Sequence, residues 1–107
     1  MTNVNVNKTI YSFTRDDGKV FSVTYSFTED NEYAAYIDRF TRKTIPAGKR
    51  HVHVFAVTLA DYCITNIFVR IDDDGYIYAW PDHQVMSKAG TEEILGICKG
   101  YALQFLA

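Results

Sequence analysis

Cysteine, proline and long apolar runs are all scarce in this chain of 107 residues, which holds two cysteines and two prolines. Cys63 and Cys98 stand too far apart for a Cys-x-x-Cys metal or redox motif. We expect both to be free, inward-facing thiols of a protein in the reducing cytoplasm. Apolar runs of only a handful of residues exclude a transmembrane helix. The N-terminus lacks a basic segment followed by an apolar one, so we expect no signal peptide.

Motifs that would identify a catalytic reaction or a bound cofactor are also missing. The sequence has no glycine-rich phosphate loop, no nucleophile elbow and no strand pattern typical of RNA-recognition domains. The acidic run at 72–74 is not a calcium loop, because the first ligand position would fall on Arg70 and the twelfth on Pro81. We therefore expect a binding protein without a cofactor rather than an enzyme.

Aromatic residues, in contrast, are abundant. Eight Tyr, seven Phe and one Trp make up 15% of the chain. Apolar residues account for 48% and charged residues for 22%, which are ordinary values for a folded domain and exclude disorder. The length is typical of one domain, so we expect residues 1–107 to form a single globular domain.

The first predicted element is a β-hairpin over residues 11–15 and 19–28. Apolar and hydroxyl residues alternate along its second strand, so one face should be buried and the other wet. Gly18 ends a three-residue loop in which it takes the left-handed conformation. This loop predicts a register that places Phe13 opposite Phe21.

The next segment has the pattern of an amphipathic helix over residues 29–43. Thr28 is a suitable N-cap, and three acids follow in the first turn, where the helix dipole favours them. Ile45 precedes Pro46 and should end the helix. Five apolar residues recur at the helical period on one side of the wheel: Tyr33, Ala34, Tyr36, Ile37 and Phe40.

Three further strands are predicted after Pro46. Residues 51–59 are rich in β-branched and aromatic residues and apolar on both faces, which favours a position inside the sheet. Residues 62–71 and 76–80 predict a second hairpin, joined by a loop at 73–75.

The chain then ends in a second predicted helix. Thr91 is its N-cap, and apolar residues fill one half of the wheel as far as Phe105 and Leu106. A shorter helix capped by Gly100, followed by a strand over residues 101–106, is the alternative.

These elements predict the order ββαβββα in one α+β domain. The expected architecture is a mainly antiparallel sheet of about five strands with two helices packed on one face. The other face of the sheet would then be open.

The open face is the candidate partner-binding surface. The loop at 73–75 pairs Phe68 with Trp80 and Arg70 with Tyr78, while aliphatic residues take the other face. Aromatic residues and arginine are enriched in interface hot spots. Ordinary packing against loops, the N-terminal arm or a second copy of the chain is the alternative. Six residues share this predicted face: Tyr62, Phe68, Arg70, Tyr76, Tyr78 and Trp80.

Basic residues cluster between Arg39 and Ala60, although the formal net charge of the chain is −2. One interpretation is the solvated C-terminal end of the first helix. The other is a secondary contact to an acidic partner or to phosphate. The candidate residues are Arg39, Arg42, Lys43, Lys49, Arg50, His51 and His53.

His51 and His53 project from one face of a predicted strand, and His83 could join them. The surrounding stretch resembles the metal-binding strand of the cupin barrels, but it lacks the acid that follows the histidine pair in that family, so we expect no metal. A metal-independent ribonuclease with histidines as acid and base is one alternative. Solvated or edge-of-core histidines are the other.

The sequence thus favours a small cytoplasmic module that binds another protein, or a second copy of itself, and acts without catalysis. An inhibitor or immunity-type protein that occludes a toxin, an effector or a host factor fits its compact size and aromatic surface. The alternative is a nucleic-acid-binding protein or ribonuclease that uses the basic stretch from Arg39 to His53.

Overall fold

The computed structural model describes residues 3–73 and 75–104. Within these ranges the chain forms seven strands and then one helix. The elements are β1 (Asn3–Thr14), β2 (Val20–Tyr33), β3 (Tyr36–Ile37), β4 (Thr44–Ile45), β5 (Gly48–Leu59), β6 (Tyr62–Asp72), β7 (Ile77–Pro81) and α1 (Lys88–Leu103).

Five of these strands make one antiparallel sheet in the order β1-β2-β5-β6-β7. Strands β3 and β4 pair separately and extend the end of the long β2–β5 hairpin. Helix α1 packs on one face of the sheet beside β6 and β7. The described part of the chain has no helix of the length and apolarity needed to span a bilayer.

The hydrophobic core lies between α1 and the sheet. Alternate residues of β2, β5 and β6 point into it, as the period of two requires. The core residues with the least exposure are Val23, Phe55, Val57, Ile67, Val69, Ile71, Cys98 and Ala102.

The predicted helix over residues 29–43 is wrong, and with it the order ββαβββα and the expected pair of helices on one face of the sheet. Strand β2 continues to Tyr33 in register with β5. This register places Asp30 opposite His51 and Glu32 opposite Lys49, so each acid faces a residue of a basic type across the hairpin. The apolar residues of this segment recur at the helical period, but pairing of β2 with β5 determines its conformation instead.

Both hairpin registers are confirmed. Phe13 lies opposite Phe21, and Gly18 has a φ of 83° in the loop between them. In the second hairpin Phe68 pairs with Trp80. Strand β5 lies between β2 and β6, so its predicted position inside the sheet is also confirmed.

The final helix is confirmed, but its first residues differ from the prediction. Its N-cap is Ser87, whose side chain accepts a hydrogen bond from the Gly90 N–H, and Thr91 is buried within the helix. The alternative strand over residues 101–106 is wrong for residues 101–103, which are helical. Phe105 and Leu106 lie outside the described residues.

The two cysteines have different environments. Cys98 is buried against the sheet, as predicted, and burial raises the pKa of its thiol to about 12. Cys63 is exposed, so its predicted inward direction is wrong. A register shift between β5 and β6 places Cys63 opposite Thr58 and out of phase with the core residues of β6.

We therefore expect one fast-reacting thiol in the native protein. Cys63 should be alkylated by iodoacetamide, whereas Cys98 should react only after unfolding, because a buried thiol with a raised pKa forms little thiolate. Mass spectrometry of the native and denatured protein measures both reactions. Equal labelling of the two cysteines in the native protein would contradict this packing.

Candidate functional site

Aromatic rings and two arginines form a continuous band on the sheet face opposite α1, here called the aromatic–arginine belt. It runs from the edge strand β7 across β6 and β5 to the distal end of the β2–β5 hairpin. Its members are Phe68, Trp80, Tyr78, Tyr76, Arg70, Asp72, Arg50, Tyr33 and Tyr36.

The first part of the belt is a ladder of stacked rings. The ring centroids of Phe68 and Trp80 are 5.4 Å apart, those of Trp80 and Tyr78 5.3 Å, and those of Tyr78 and Tyr76 6.4 Å. The interplanar angles are all below 30°. Tyr78 and Trp80 stand at alternate positions of β7, Tyr76 precedes that strand at the same spacing, and Phe68 faces Trp80 from β6, so the pairing of β6 with β7 sets this stack.

A buried carboxylate clamps the centre of the belt. Asp72 has no exposed side-chain surface, and it accepts hydrogen bonds from Arg70 Nη2 at 2.7 Å and Arg50 Nε at 3.2 Å. Burial alone would raise the pKa of Asp72, but the hydrogen bonds and charges of Arg70 and Arg50 lower it below its ordinary value of 3.8.

The clamp also directs each guanidinium over a ring. Arg70 lies over Tyr76, 5.3 Å from the ring centroid, and Arg50 lies over Tyr33 at 5.2 Å. Tyr33 in turn meets Tyr36 edge to face, with centroids 6.0 Å apart. The ring ladder of β7 is therefore linked through Asp72 to the tyrosines beyond the end of β6.

Five of the six residues predicted for the open face meet in this belt. Tyr62 does not: the register shift that exposes Cys63 places it opposite Leu59 at the far end of β6, where it is 77% exposed. Sequence reasoning missed Tyr33 and Tyr36, which it had assigned to the core face of a helix. The acid–base matching of residues 29–32 with 49–51 was the signal that could have placed them on a strand.

The ring-bearing face is accessible. Tyr76 and Tyr78 are each half exposed, while Phe68 and Trp80 are partly covered by their neighbours in the stack. Phe40 does not cover them, because its own side chain is 92% exposed. Phe105 lies outside the described residues.

The candidate basic residues separate into two groups. Arg39, Arg42 and Lys43 lie in the tight connection between β3 and β4, here called the finger (residues 38–43). The interpretation of this stretch as a helix end is wrong, because no helix forms there.

The finger is held in shape by Asp38. Its Oδ1 accepts hydrogen bonds from the Phe40 N–H at 2.7 Å and the Thr41 N–H at 3.0 Å. The backbone donors of Thr41 and Phe40 lower the pKa of this carboxyl. The finger therefore presents an exposed phenyl ring beside three cations in a defined conformation.

The second group of basic residues belongs to β5. Lys49 donates its backbone N–H to Asp73 Oδ2 at 2.7 Å, and Arg50 is part of the belt. His51 faces the α1 side, with Nδ1 2.7 Å from Asp30 Oδ1 and Nε2 3.5 Å from Asp73 Oδ1.

His53 is buried in a polar network on the α1 side. Its Nδ1 lies 2.8 Å from the Tyr25 hydroxyl and 3.0 Å from Thr28 Oγ1, and these two hydroxyls also contact each other. Burial, together with the nearby His51, lowers its pKa below 6.5.

This arrangement does not favour acid–base catalysis by the histidine pair. His53 is 5% exposed, and both ring nitrogens of His51 face carboxylates. The belt arginines lie on the opposite face of the sheet from both histidines. Among residues 3–73 and 75–104, no cluster of three or more His, Cys, Asp or Glu side chains is arranged to hold a metal ion.

Comparison with known proteins gives no family assignment: no protein-family model, no curated protein and no solved structure matches this chain.

We expect the buried neutral His53 to make stability depend on pH. The pKa of His53 in the folded state lies below its unfolded value, so the unfolded chain takes up a proton at this residue more readily than the folded one. The free energy of unfolding is therefore undiminished by His53 above about pH 6.5 and decreases as pH falls below that value. His53→Asn keeps a polar side chain but removes the titration. Chemical denaturation at several pH values from about 5 to 8 should show a shallower loss of unfolding free energy in the variant. Parallel profiles for the two proteins would contradict this assignment.

Proposed function

We propose that this protein is a protein-binding module that acts without catalysis by covering a functional surface of its partner. The observation that carries the proposal is the aromatic–arginine belt, a solvent-facing band of rings and guanidiniums fixed by the buried Asp72. A protein of this kind would serve as an inhibitor or immunity-type protein against a toxin, an effector or a host factor.

The belt has the chemistry of an interface hot spot. Trp, Tyr and Arg dominate binding energy where they are packed and become desolvated. Here the rings already stack on one another and Asp72 already holds the arginines, so a partner would order few new rotamers. Each side chain that needs no ordering saves about 0.5–1.5 kcal/mol of binding free energy.

The charge of the belt favours a protein over a nucleic acid. Arg50 and Arg70 share Asp72, so the three side chains carry a net charge of +1, and the belt contains no lysine. Non-specific binding of nucleic acid depends on several cations that are available to phosphates. The belt offers almost none, which supports a protein partner instead.

The finger supports an acidic partner for a second contact. Phe40 is an exposed apolar anchor, and the exposed cations Arg39, Arg42 and Lys43 belong to the same short finger. Because the remainder of the chain is acidic on balance, this end would steer the protein toward a negatively charged surface. The proposal places this action in the cytoplasm, where the exposed thiol of Cys63 would stay reduced.

Affinity capture with matched variants tests the proposal. Wild-type protein should retain a stoichiometric protein from an extract of its source cells, and Tyr78→Ala with Trp80→Ala should lose it. Tyr62→Ala is the control, since Tyr62 is an exposed tyrosine outside the belt. Capture that is equal for all three proteins, or absent for the wild type, would reject belt-mediated protein binding.

Nucleic-acid binding is tested in a separate titration. If the belt and finger served nucleic acid, RNA or single-stranded DNA would bind at about 50 mM salt and weaken steeply as salt increases. The proposal predicts no such binding by the wild-type protein. Salt-sensitive binding that is lost in Arg39→Ala with Arg42→Ala would replace the proposed function with the nucleic-acid alternative.

A further inference from the structure

The two edges of the main sheet differ in how well they are protected from pairing with another strand. Strand β1 has register irregularities between Asn5 and Lys8 and between Thr9 and Tyr11. Asn7 has a left-handed φ of 53°, and Lys8 adds a charge. Breaks of register and lysines are the usual devices that stop an edge strand from pairing.

Strand β7, at the other edge, lacks such protection along most of its length. It pairs with β6 in a regular register from Ile71↔Ile77 to Ile67↔Pro81. Residues 77–80 carry no charge, and only Pro81, at the very end, is an edge-blocking residue. A regular, uncharged edge of this kind is open to strand addition.

The hydrogen bonds of the second hairpin show which backbone groups of β7 face outward. Asp72 donates its N–H to the Tyr76 carbonyl at 2.9 Å, and Asp82 donates to the Asn66 carbonyl at 2.8 Å. In an antiparallel ladder such pairs alternate, so the N–H and C=O groups of Ile77 and Ala79 point away from β6.

The chain that follows β7 leaves this edge clear. The His83 N–H donates to the Thr65 hydroxyl at 3.1 Å, and that hydroxyl lies 3.1 Å from the His83 carbonyl. Thr65 is buried on the α1 side of the sheet, so the chain turns toward that side at His83, directly after Asp82 has continued the pairing with β6, and does not fold back along the outer edge of β7 there.

We propose that β7 pairs antiparallel with β7 of a second copy of this chain, about a two-fold axis at Tyr78. In this register the outward groups of Ile77 bond to those of Ala79 in the second copy, and those of Ala79 bond to Ile77. Pro81 falls outside the paired segment, so its missing N–H removes no hydrogen bond.

A second copy suits this edge better than an arbitrary strand because β7 is self-complementary. Tyr78 faces Tyr78 of the second copy, and Trp80 faces Tyr76. No charge on residues 77–80 repels the identical strand. Pairing would make one continuous sheet and join the two ring ladders into a single surface, a property that goes beyond the proposed function and does not depend on it.

Disulfide mapping tests the register in the Cys63→Ser background, where the remaining cysteine, Cys98, is buried. Residues facing each other in a non-hydrogen-bonded antiparallel pair have Cα atoms about 4.5 Å apart, which is within disulfide reach. Tyr78→Cys should therefore form a covalent dimer on mild oxidation. Trp80→Cys alone should not, but it should cross-link when mixed with Tyr76→Cys.

Sedimentation equilibrium over a wide range of concentrations provides the second measurement. Wild-type protein should associate to twice its monomer mass of 12.2 kDa. Tyr78→Lys should remain monomeric, because two like charges would face each other at the axis. Tyr62→Lys is the control for an exposed tyrosine away from β7, and it should associate as the wild type does.

Two results would overturn the pairing. One is a wild-type protein that stays monomeric at every concentration; if it still captures a partner through the belt, the proposed function stands while the pairing fails. The other is cross-linking of Tyr62→Cys to the same extent as Tyr78→Cys. A wild-type protein that dimerises but captures no partner would instead reject the proposed function alone.

Discussion

The arrangement of the aromatic–arginine belt depends on one buried carboxylate, that of Asp72. Asp72 is removed from water, and an ionised group in that position must be paired to remain charged. Arg70 and Arg50 supply the pairing from two neighbouring strands. Because both guanidiniums are tied to the same carboxylate, each is fixed above a tyrosine, and separate rings become one belt. Without Asp72 the arginines would be long, mobile side chains, and the ladder on β7 would have no link to Tyr33.

Acidic and basic residues pair on the α1 side of β2 and β5, and this pairing positions Tyr33 in the belt on the opposite side. Asp30 lies opposite His51 and Glu32 lies opposite Lys49 across the β2–β5 hairpin, and these cross-strand pairs favour strands that stay extended beyond the end of β6. Tyr33 is thereby brought beside Arg50, and the finger is displayed at the end of the molecule. The described part of the chain is 52 Å long in its longest dimension.

Local signals in the sequence were sufficient for much of the fold. A period of two and a glycine loop determined both short hairpins, because strand and turn chemistry agreed at Phe13, Phe21, Phe68 and Trp80. The segment at 29–43 failed because its pairing partners lie far along the chain, whereas the helical period is visible locally. A single register shift in β6 accounts for the errors at Tyr62 and Cys63, since one extra residue reverses the face of every residue before it. The Asp72 clamp joins residues of two strands and could not be read from spacing alone.

The hydrogen exchange of the Arg50 and Arg70 side chains tests most directly whether Asp72 holds both arginines. In a ¹H–¹⁵N spectrum, the Nε–H groups of Arg50 and Arg70 should exchange slowly with water, since both donate to the shielded carboxylate. Asp72→Asn should shift both resonances and speed their exchange, while Arg15, which pairs with Asp17 in the β1–β2 loop, should not change. Fast exchange of Arg50 and Arg70 in the wild-type protein, or resonances unmoved by the substitution, would contradict the account.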